Sequence, residues 1–536
     1  MFLNLRSGVV SLPSLLLGVL ALSASVFAVR WTQIRRRRLR LPPGPKPLPL
    51  VGNMFDMPTY EPWLAYRDWC NQYGDIVHLD LPFRPTLLIG SAKVAMDLLE
   101  KRSHIYSDRV PCRMDELMSW DFNFAFMPYG TDWRVHRRVF HQYFNQTTVN
   151  KYLDVQVQQT HLFLRRALET PGKLAQQTRL IFAGTILKIV YGRDVDDLDD
   201  EYVKNARMAM EGQAQAHVPG AHWVEYFPIM KRIPSWMPGA GFQRLADEYR
   251  PFVEAMVHKP FGEVRSAMLG GTAPSCISQT IISKALDIDR GIEQQSLHED
   301  IGMRMLSITT YQNSASLDFI AAADTSTSAA QTFLIAMAMF PDVQRKAQAE
   351  LDAVIGPKRL PHPDDLRKLV YIRAVFLETL RWKPVVPMGV PHRVIQDDEY
   401  NGYFIPKGTN IIPNAWAILH DPKEYPEPER FIPERFIKNG KINTEIRDPS
   451  TIAFGYGRRI CPGRHLADTS LFLVMSSVLH AFNVVPALDE YGKPLGKDVK
   501  MTTGLVSLPI GIPCALQARS AEAETLVRET AHMAAV

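Results

Sequence analysis

The chain has 536 residues, 46% hydrophobic and 22% charged, with a formal net charge of +5, a composition ordinary for a globular protein. Much of the positive excess lies in one short N-terminal run, which argues against a nucleic-acid-binding face. Cys70, Cys112, Cys276, Cys461 and Cys514 are scattered with no short spacing. This argues against a disulfide framework and a zinc motif, and for a reducing compartment.

In chain order, residues from about Val9 to Val29 are apolar or small and uncharged, roughly the length that crosses a bilayer as a helix. Arg30, Arg35, Arg36, Arg37, Arg38 and Arg40 follow, against a single Arg6 before the run, so the C-terminal side is predicted to face the cytosol. Val26-Phe27-Ala28 would pass as a cleavage site. The run is long for a signal peptide, however, and dense arginines disfavour translocation. Residues 1–30 are therefore assigned as an uncleaved anchor and 31–50 as a basic, proline-rich hinge. Leu41 to Pro49 reads as a stiff, extended spacer, because proline fixes φ and removes donors. The body is assigned to 51–519. Residues 520–536, rich in small and charged side chains, read as a loose tail.

Within the body, Ile76–Leu79 and Thr86–Ile89 are strand-like, and helical periodicity then dominates. Trp133 and Arg137 project from one face of a predicted helix, with N–H donors that suit a carboxylate. Arg134 and Arg138 lie about 100° round it and, with His136 and Arg458, make a basic face suited to an acidic electron-donor protein or to water. Leu317 to Met339 is predicted as a long apolar helix that ends before Pro341. In its middle, Ala321, Ala322 and Ala323 precede Asp324, Thr325 and Ser326. Such a segment is either a buried helix whose Thr bonds back to the preceding turn or an acid–alcohol pair that relays protons. Glu378 and Arg381 share a helix face at i, i+3. They are either a solvated ion pair or, with Arg435 of Pro433-Glu434-Arg435-Phe436, a buried charge-compensated group.

The densest signal is Phe454-Gly455-Tyr456-Gly457-Arg458-Arg459-Ile460-Cys461-Pro462-Gly463, running into the apolar segment that contains Leu466, Leu471, Phe472 and Val474. Cys461 is thus predicted just before a buried helix, with Pro462 at the first helical position. Amide N–H groups and the helix dipole there favour a thiolate, a soft axial ligand for haem iron. Gly457 and Gly463 would let the backbone approach a flat macrocycle, and Arg459 would reach a propionate. The plain alternative is a buried free cysteine. Phe454, Gly457, Arg459, Cys461 and Gly463 fill F-x-x-G-x-R-x-C-x-G, which resembles the haem-binding loop of the cytochrome P450 family.

The resemblance extends from about Leu41 to Ala515. It implies a mainly α fold with small β-sheets, preceded by one N-terminal transmembrane helix, in the endoplasmic reticulum membrane with the catalytic domain facing the cytosol. It implies haem b with Cys461 as axial ligand, and Thr325 and Asp324 handling protons. It further implies Trp133, Arg137, His392, Arg459 and Arg109 as haem anchors, and Glu378, Arg381 and Arg435 as a structural triad. The implied partners are an NADPH-dependent flavoprotein reductase, with cytochrome b5 as a further donor. Ser326 and Ala322 depart from the family's A-G-x-D-T-T. Gly302 to Gln312 looks like extra length, either a loop insertion or retained intron sequence.

The implied reaction puts one oxygen atom from O2 into an apolar organic substrate. The wording of the chain is similar to fungal members acting in secondary metabolism or on aromatic, terpenoid or steroid-like xenobiotics. Candidate pocket residues are Met114, Leu117, Met118, Trp120, Phe122 and Phe124, then Val385 to Val390, then Leu505 and Val506, each equally readable as ordinary core. Two rivals stand beside this reading. One is a haem-thiolate enzyme that rearranges peroxides without a reductase; the other is a non-enzymatic, membrane-anchored haem-binding protein.

Overall fold

The structure is a computed structural model that describes residues 41–218, 220–292, 323–488, 493 and 499–533. The predicted span from Val9 to Val29, the segment Gly302 to Gln312, and Ala321 and Ala322 lie outside the described residues. Among the described residues no helix is long and apolar enough to cross a membrane.

The fold is mainly helical with small sheets. Helices α1 (Pro62–Tyr73), α2 (Arg113–Leu117), α3 (Thr131–Phe144), α4 (Leu153–Glu169), α5 (Leu174–Tyr191), α6 (Glu201–Ala216), α7 (Gly241–Leu269) and α8 (Ile277–Ile292) fill the first half. Helix α9 (323–339) leads through Phe340 into α10 (Pro341–Val354). Pro341 at a first helical position explains why a new helix starts there. Helices α11 (Val370–Trp382), α12 (Arg464–Ala481) and α13 (Ala521–Met533) follow, and short helical turns lie between them. The stretch read as a loose tail is thus helical over Ala521–Met533, and its Val527 is buried.

The larger sheet has four strands. Strands β1 (Ile76–Leu79) and β2 (Thr86–Ile89) pair antiparallel, with Ile76 opposite Ile89. Strand β2 also pairs in parallel with Asn410–Pro413, which pairs antiparallel with β3 (His392–Arg393). Far along the chain, Phe482–Pro486 pairs with Cys514–Ala518. The proline-rich spacer is docked rather than free. Pro43 accepts a hydrogen bond from the His78 amide of β1 at 2.8 Å, and a Cβ on Gly44 would lie 2.0 Å from the His78 carbonyl oxygen.

Apolar packing falls into three clusters. The first joins α9 to α10, α11 and α12 through Phe333, Met337, Leu351, Phe376, Phe472 and Met475. The second joins α3, α5, α6 and α7 to the aromatic segment Trp120–Phe124 and includes Leu466 at the start of α12. The third lies under the larger sheet around Tyr66, Val77 and Leu88. Helix α12 is buried on nearly all faces from Ser470 to Ala481, as its largely apolar sequence requires. It therefore holds the cysteine loop before it against the centre of the molecule.

Candidate functional site

The cysteine loop closes on itself. The Cys461 amide donates to the Phe454 carbonyl at 2.7 Å, and the Ile460 amide donates to Gly457 at 3.2 Å. Helix α12 begins at Arg464 with Gly463 as its N-cap, so Pro462 precedes the helix instead of opening it. Burial pushes the Cys461 thiol up, while the amides of Gly463 and Arg464 and the Arg137 guanidinium act in the opposite direction. These donors favour the thiolate. Gly457 has φ +53°, and a Cβ there would lie 2.4 Å from the Leu99 carbonyl oxygen. Its amide donates to Glu100 at 2.5 Å. The close approach at Gly457 is therefore to the segment Met96–Lys101. At Gly463 a Cβ would meet nothing within 4 Å, so the backbone there borders room for a flat group.

The predicted anchors gather beside this loop. Arg459 is buried and donates through Nε to Ser107 at 2.7 Å, Nη1 to Phe124 at 3.1 Å and Nη2 to Met127 at 2.7 Å, all carbonyls. Its guanidinium stacks 4.4 Å from the Trp133 ring centroid. Arg109 donates to the carbonyls of Ala125 at 2.9 Å, Val390 at 2.8 Å and Pro391 at 2.6 Å. His392 is buried, with Nδ1 2.7 Å from the Tyr106 carbonyl. Arg137 is half-buried, one turn along α3 from Trp133. Burial lowers all of them: Arg137 to about 10 and Arg459 to about 9, with Arg109 and His392 pushed well down. Arg109 and Arg459 each push His392 down further. Their hydrogen bonds go to neutral carbonyls, and no carboxylate in ion-pair contact neutralises this group among the described residues. A guanidinium also carries more N–H donors than these bonds use. The donor set fits a dianionic group such as a haem with two propionates.

His136, placed by sequence on the exposed basic face, is buried instead. Its Nδ1 lies 2.9 Å from the Asp132 carbonyl, and burial lowers its pKa, so it adds no charge. Arg134, Arg138 and Arg458 are exposed. Arg458 donates to the Tyr129 hydroxyl at 2.7 Å, and Arg134 lies 6.0 Å from the same ring.

Asp324 and Thr325 occupy the N-terminal part of α9 as described. Asp324 pairs with Arg179 of α5 at 3.4 Å. Burial raises its pKa and Arg179 opposes the rise. Sequence reading missed Arg179. The available signal was an arginine in the largely apolar α5, where charge is otherwise carried only by Lys188. Three predicted pocket segments converge here. Ser328 of α9 donates to the Ser507 carbonyl at 2.5 Å, and the Ser507 amide donates to Val385 at 2.8 Å. Met114, Met118, Trp120, Phe122 and Phe124 share the cluster against which Ala323 packs.

Behind the loop, Glu378 takes a bidentate bond from Arg381, Nε at 2.7 Å and Nη2 at 2.8 Å. Arg435 lies 3.3 Å from the same carboxylate, and the Ile432 amide donates to it at 2.7 Å. Both side chains of the Glu378–Arg381 pair are fully buried. Arg381 also donates to Leu419 at 3.1 Å, Pro428 at 2.8 Å and Arg430 at 3.0 Å. The group ties α11 to the 419–435 segment.

Comparison with known proteins decides the family. The model for Cytochrome P450 matches residues 42–509. The chain belongs to the cytochrome P450 family. It is 40% identical over 93% of its length to the cytochrome P450 monooxygenase COX2 of Coprinopsis cinerea, covering 93% of that protein. It is 38% identical to the tryptamine 4-monooxygenase of Psilocybe cyanescens, over 91% of this chain and 95% of that one. With the cytochrome P450 monooxygenase ple1 of Rhodocybe pseudopiperita it shares 37% identity over 96% of each. The protein is therefore a P450 monooxygenase, and P450 enzymes hold haem iron through a cysteine thiolate and draw electrons from a redox partner. Both rival readings, peroxide rearrangement and a non-enzymatic haem carrier, give way to it.

Proposed function

We propose that this P450 inserts one oxygen atom from O2 into an apolar, aromatic-bearing small molecule, with Cys461 as the iron ligand. The carrying observation is the Cys461 thiol, which receives amide donors at a helix start beside Arg137 and Arg459, neither of which has a carboxylate in ion-pair contact among the described residues. When bound, haem supplies reductive activation of O2. Around it, Arg137, Arg459, Arg109, His392 and Trp133 would hold the propionates. Thr325 presents a hydroxyl, and Asp324 exchanges protons with it. Arg179 sits on the outer side of Asp324, beside a cleft of about 20 Å³ that Ala323 and Met210 also line, room for about one water. Glu378, Arg381 and Arg435 act structurally.

The aromatic and methionine lining from Met114 to Phe124 supports an apolar substrate and an adaptable pocket. The relative named tryptamine 4-monooxygenase supports an aromatic-bearing substrate. The setting is secondary or xenobiotic metabolism in a fungus, a reading supported only by the fungal sources of the relatives. Electrons come from an NADPH-dependent flavoprotein reductase, with cytochrome b5 as an auxiliary donor, docking on Arg134, Arg138 and Arg458. We place residues 1–30 as a single-pass anchor in the endoplasmic reticulum. Large exposed apolar side chains, among them Phe83, Trp223, Ile229 and Trp236, support a surface that meets lipid. Phe227 joins the rings of Phe83 and Trp223, each 6.2 Å away.

The test is reconstitution with a flavoprotein reductase, NADPH and isotopically labelled O2 across apolar aromatic substrates. Label in a product, dependent on both reductase and NADPH, is expected. Product formation from peroxide that gains nothing from the reductase would contradict the reading.

A further inference from the structure

Away from the cysteine loop, side chains from two distant stretches of chain meet beside a cavity of about 150 Å³. Cys112 immediately precedes α2, Asp115 lies on α2, and His217 follows the last residue of α6. One ligand-type atom from each falls within 4.8 Å of the others. The His217 Nε2 to Asp115 Oδ1 distance is 2.9 Å, and Cys112 Sγ to His217 Nε2 is 3.8 Å. Tetrahedral zinc bonds of about 2.0–2.3 Å imply ligand-to-ligand edges of roughly 3.3–3.8 Å, so small adjustments bring the three onto one ion.

A second observation points to a ligand. Asp115 Oδ2 is buried with no hydrogen-bond partner among the described residues, and Asp115 as a whole is 6% exposed. A buried carboxylate oxygen left unpaired is costly, and a cation would satisfy it. The surroundings are already ordered for ligation. Glu225 accepts a hydrogen bond from the Cys112 sulfur at 3.3 Å and is itself fixed by Arg84 at 2.8 Å and by the Met114 amide at 2.8 Å. The His217 ring is held edge-on by Phe126 at 4.8 Å.

We infer that Cys112, Asp115 and His217 form a binding site for a borderline-soft divalent cation of the zinc class, with a fourth position open to water. Thiolate, imidazole and carboxylate together suit zinc better than a hard cation such as calcium or magnesium. Sequence spacing hid the site, because its imidazole comes from the far side of α6. The ion would join α2 to the turn after α6 across the cavity, which Arg84, Arg109, His217 and Glu225 line. The inference stands apart from the reaction proposed above, because it concerns neither haem nor oxygen.

The test uses the full-length, haem-loaded protein, stripped with a chelator and dialysed against zinc. About one zinc per haem iron is expected, with retention weakened at least about tenfold in Cys112→Ser and in His217→Gln. Zinc should also slow amide exchange in residues 112–117 and 217–226. Zinc-edge absorption on the parent protein keeps the test independent of variant folding: one sulfur near 2.3 Å with lighter ligands near about 2.0 Å is expected. A first shell without sulfur, retention unchanged in Cys112→Ser, or no retained zinc would each overturn the inference.

Discussion

If Asp324 feeds the proposed proton path, stability and chemistry pull against each other there. Burial raises its pKa in the folded chain, so the folded form binds a proton more tightly than the unfolded chain does. The resulting loss of stability is absent below the unfolded carboxylate value and grows as pH rises through the folded one. Asp324→Asn is expected to melt higher than the parent near neutral pH, with the gap closing in mild acid. Product-forming turnover should fall about a hundredfold, checked by melting curves across pH and by product per NADPH consumed. An Asn variant that forms product as efficiently as the parent removes Asp324 from the proton path. At this scale the placement of Cys461 before a buried helix was legible, because the loop packs several fixed residue types into ten positions. Arg179 was not legible, because its partner lies on another helix, and neither was the burial of His136, which shares a helix with exposed arginines.

Two contacts fix how the elements meet around the loop. The Glu378 carboxylate neutralises Arg381 and Arg435 where water is excluded. Glu378→Ala leaves two buried cations uncompensated and is expected to cost about 3–5 kcal/mol, read from the denaturation midpoint of the haem-loaded protein. A loss under about 1 kcal/mol would place the pair in the weak, solvent-screened class instead. Gly457 lets the cysteine loop touch the segment from Met96 to Lys101. Gly457→Ala meets the Leu99 carbonyl in a left-handed backbone conformation and is expected to cost about 1–3 kcal/mol, seen as a lower yield of haem-bound protein. An Ala variant that loads haem normally would show that the loop can move away. Strands β1 and β2 were legible as short strand-like runs, and both are almost wholly buried. The helix Ala521–Met533 was not, because its buried surface is little more than Val527 and its stability comes from docking against α4.

Across the whole molecule, the exposed arginines Arg134, Arg138 and Arg458 collect on the side of the fold that also carries Tyr129 and the cysteine loop. Reversing Arg134 and Arg138 to Glu together is expected to slow reductase-supported reduction about tenfold at low salt, with the gap shrinking as salt rises. Haem binding should be untouched. A salt-independent loss would point to a folding defect, and no loss would move the docking face elsewhere. That arrangement was half legible. The spacing of Arg134 and Arg138 put both on one helix face, but only tertiary packing brings Arg458 beside them. The same holds for the candidate pocket segments, which were visible separately: Ser328 and Val385 meet through Ser507, and the Met114 to Phe124 stretch shares a cluster with Ala323.

The central claim is that Cys461 supplies the thiolate to haem iron. Its most direct test is the carbon monoxide difference spectrum of the dithionite-reduced protein, beside Cys461→Ser. The account predicts the strongly red-shifted Soret band of thiolate-ligated haem in the parent and its loss in the variant. The same band surviving in Cys461→Ser, or a parent band at the position of histidine- or thiol-ligated haem, would contradict it.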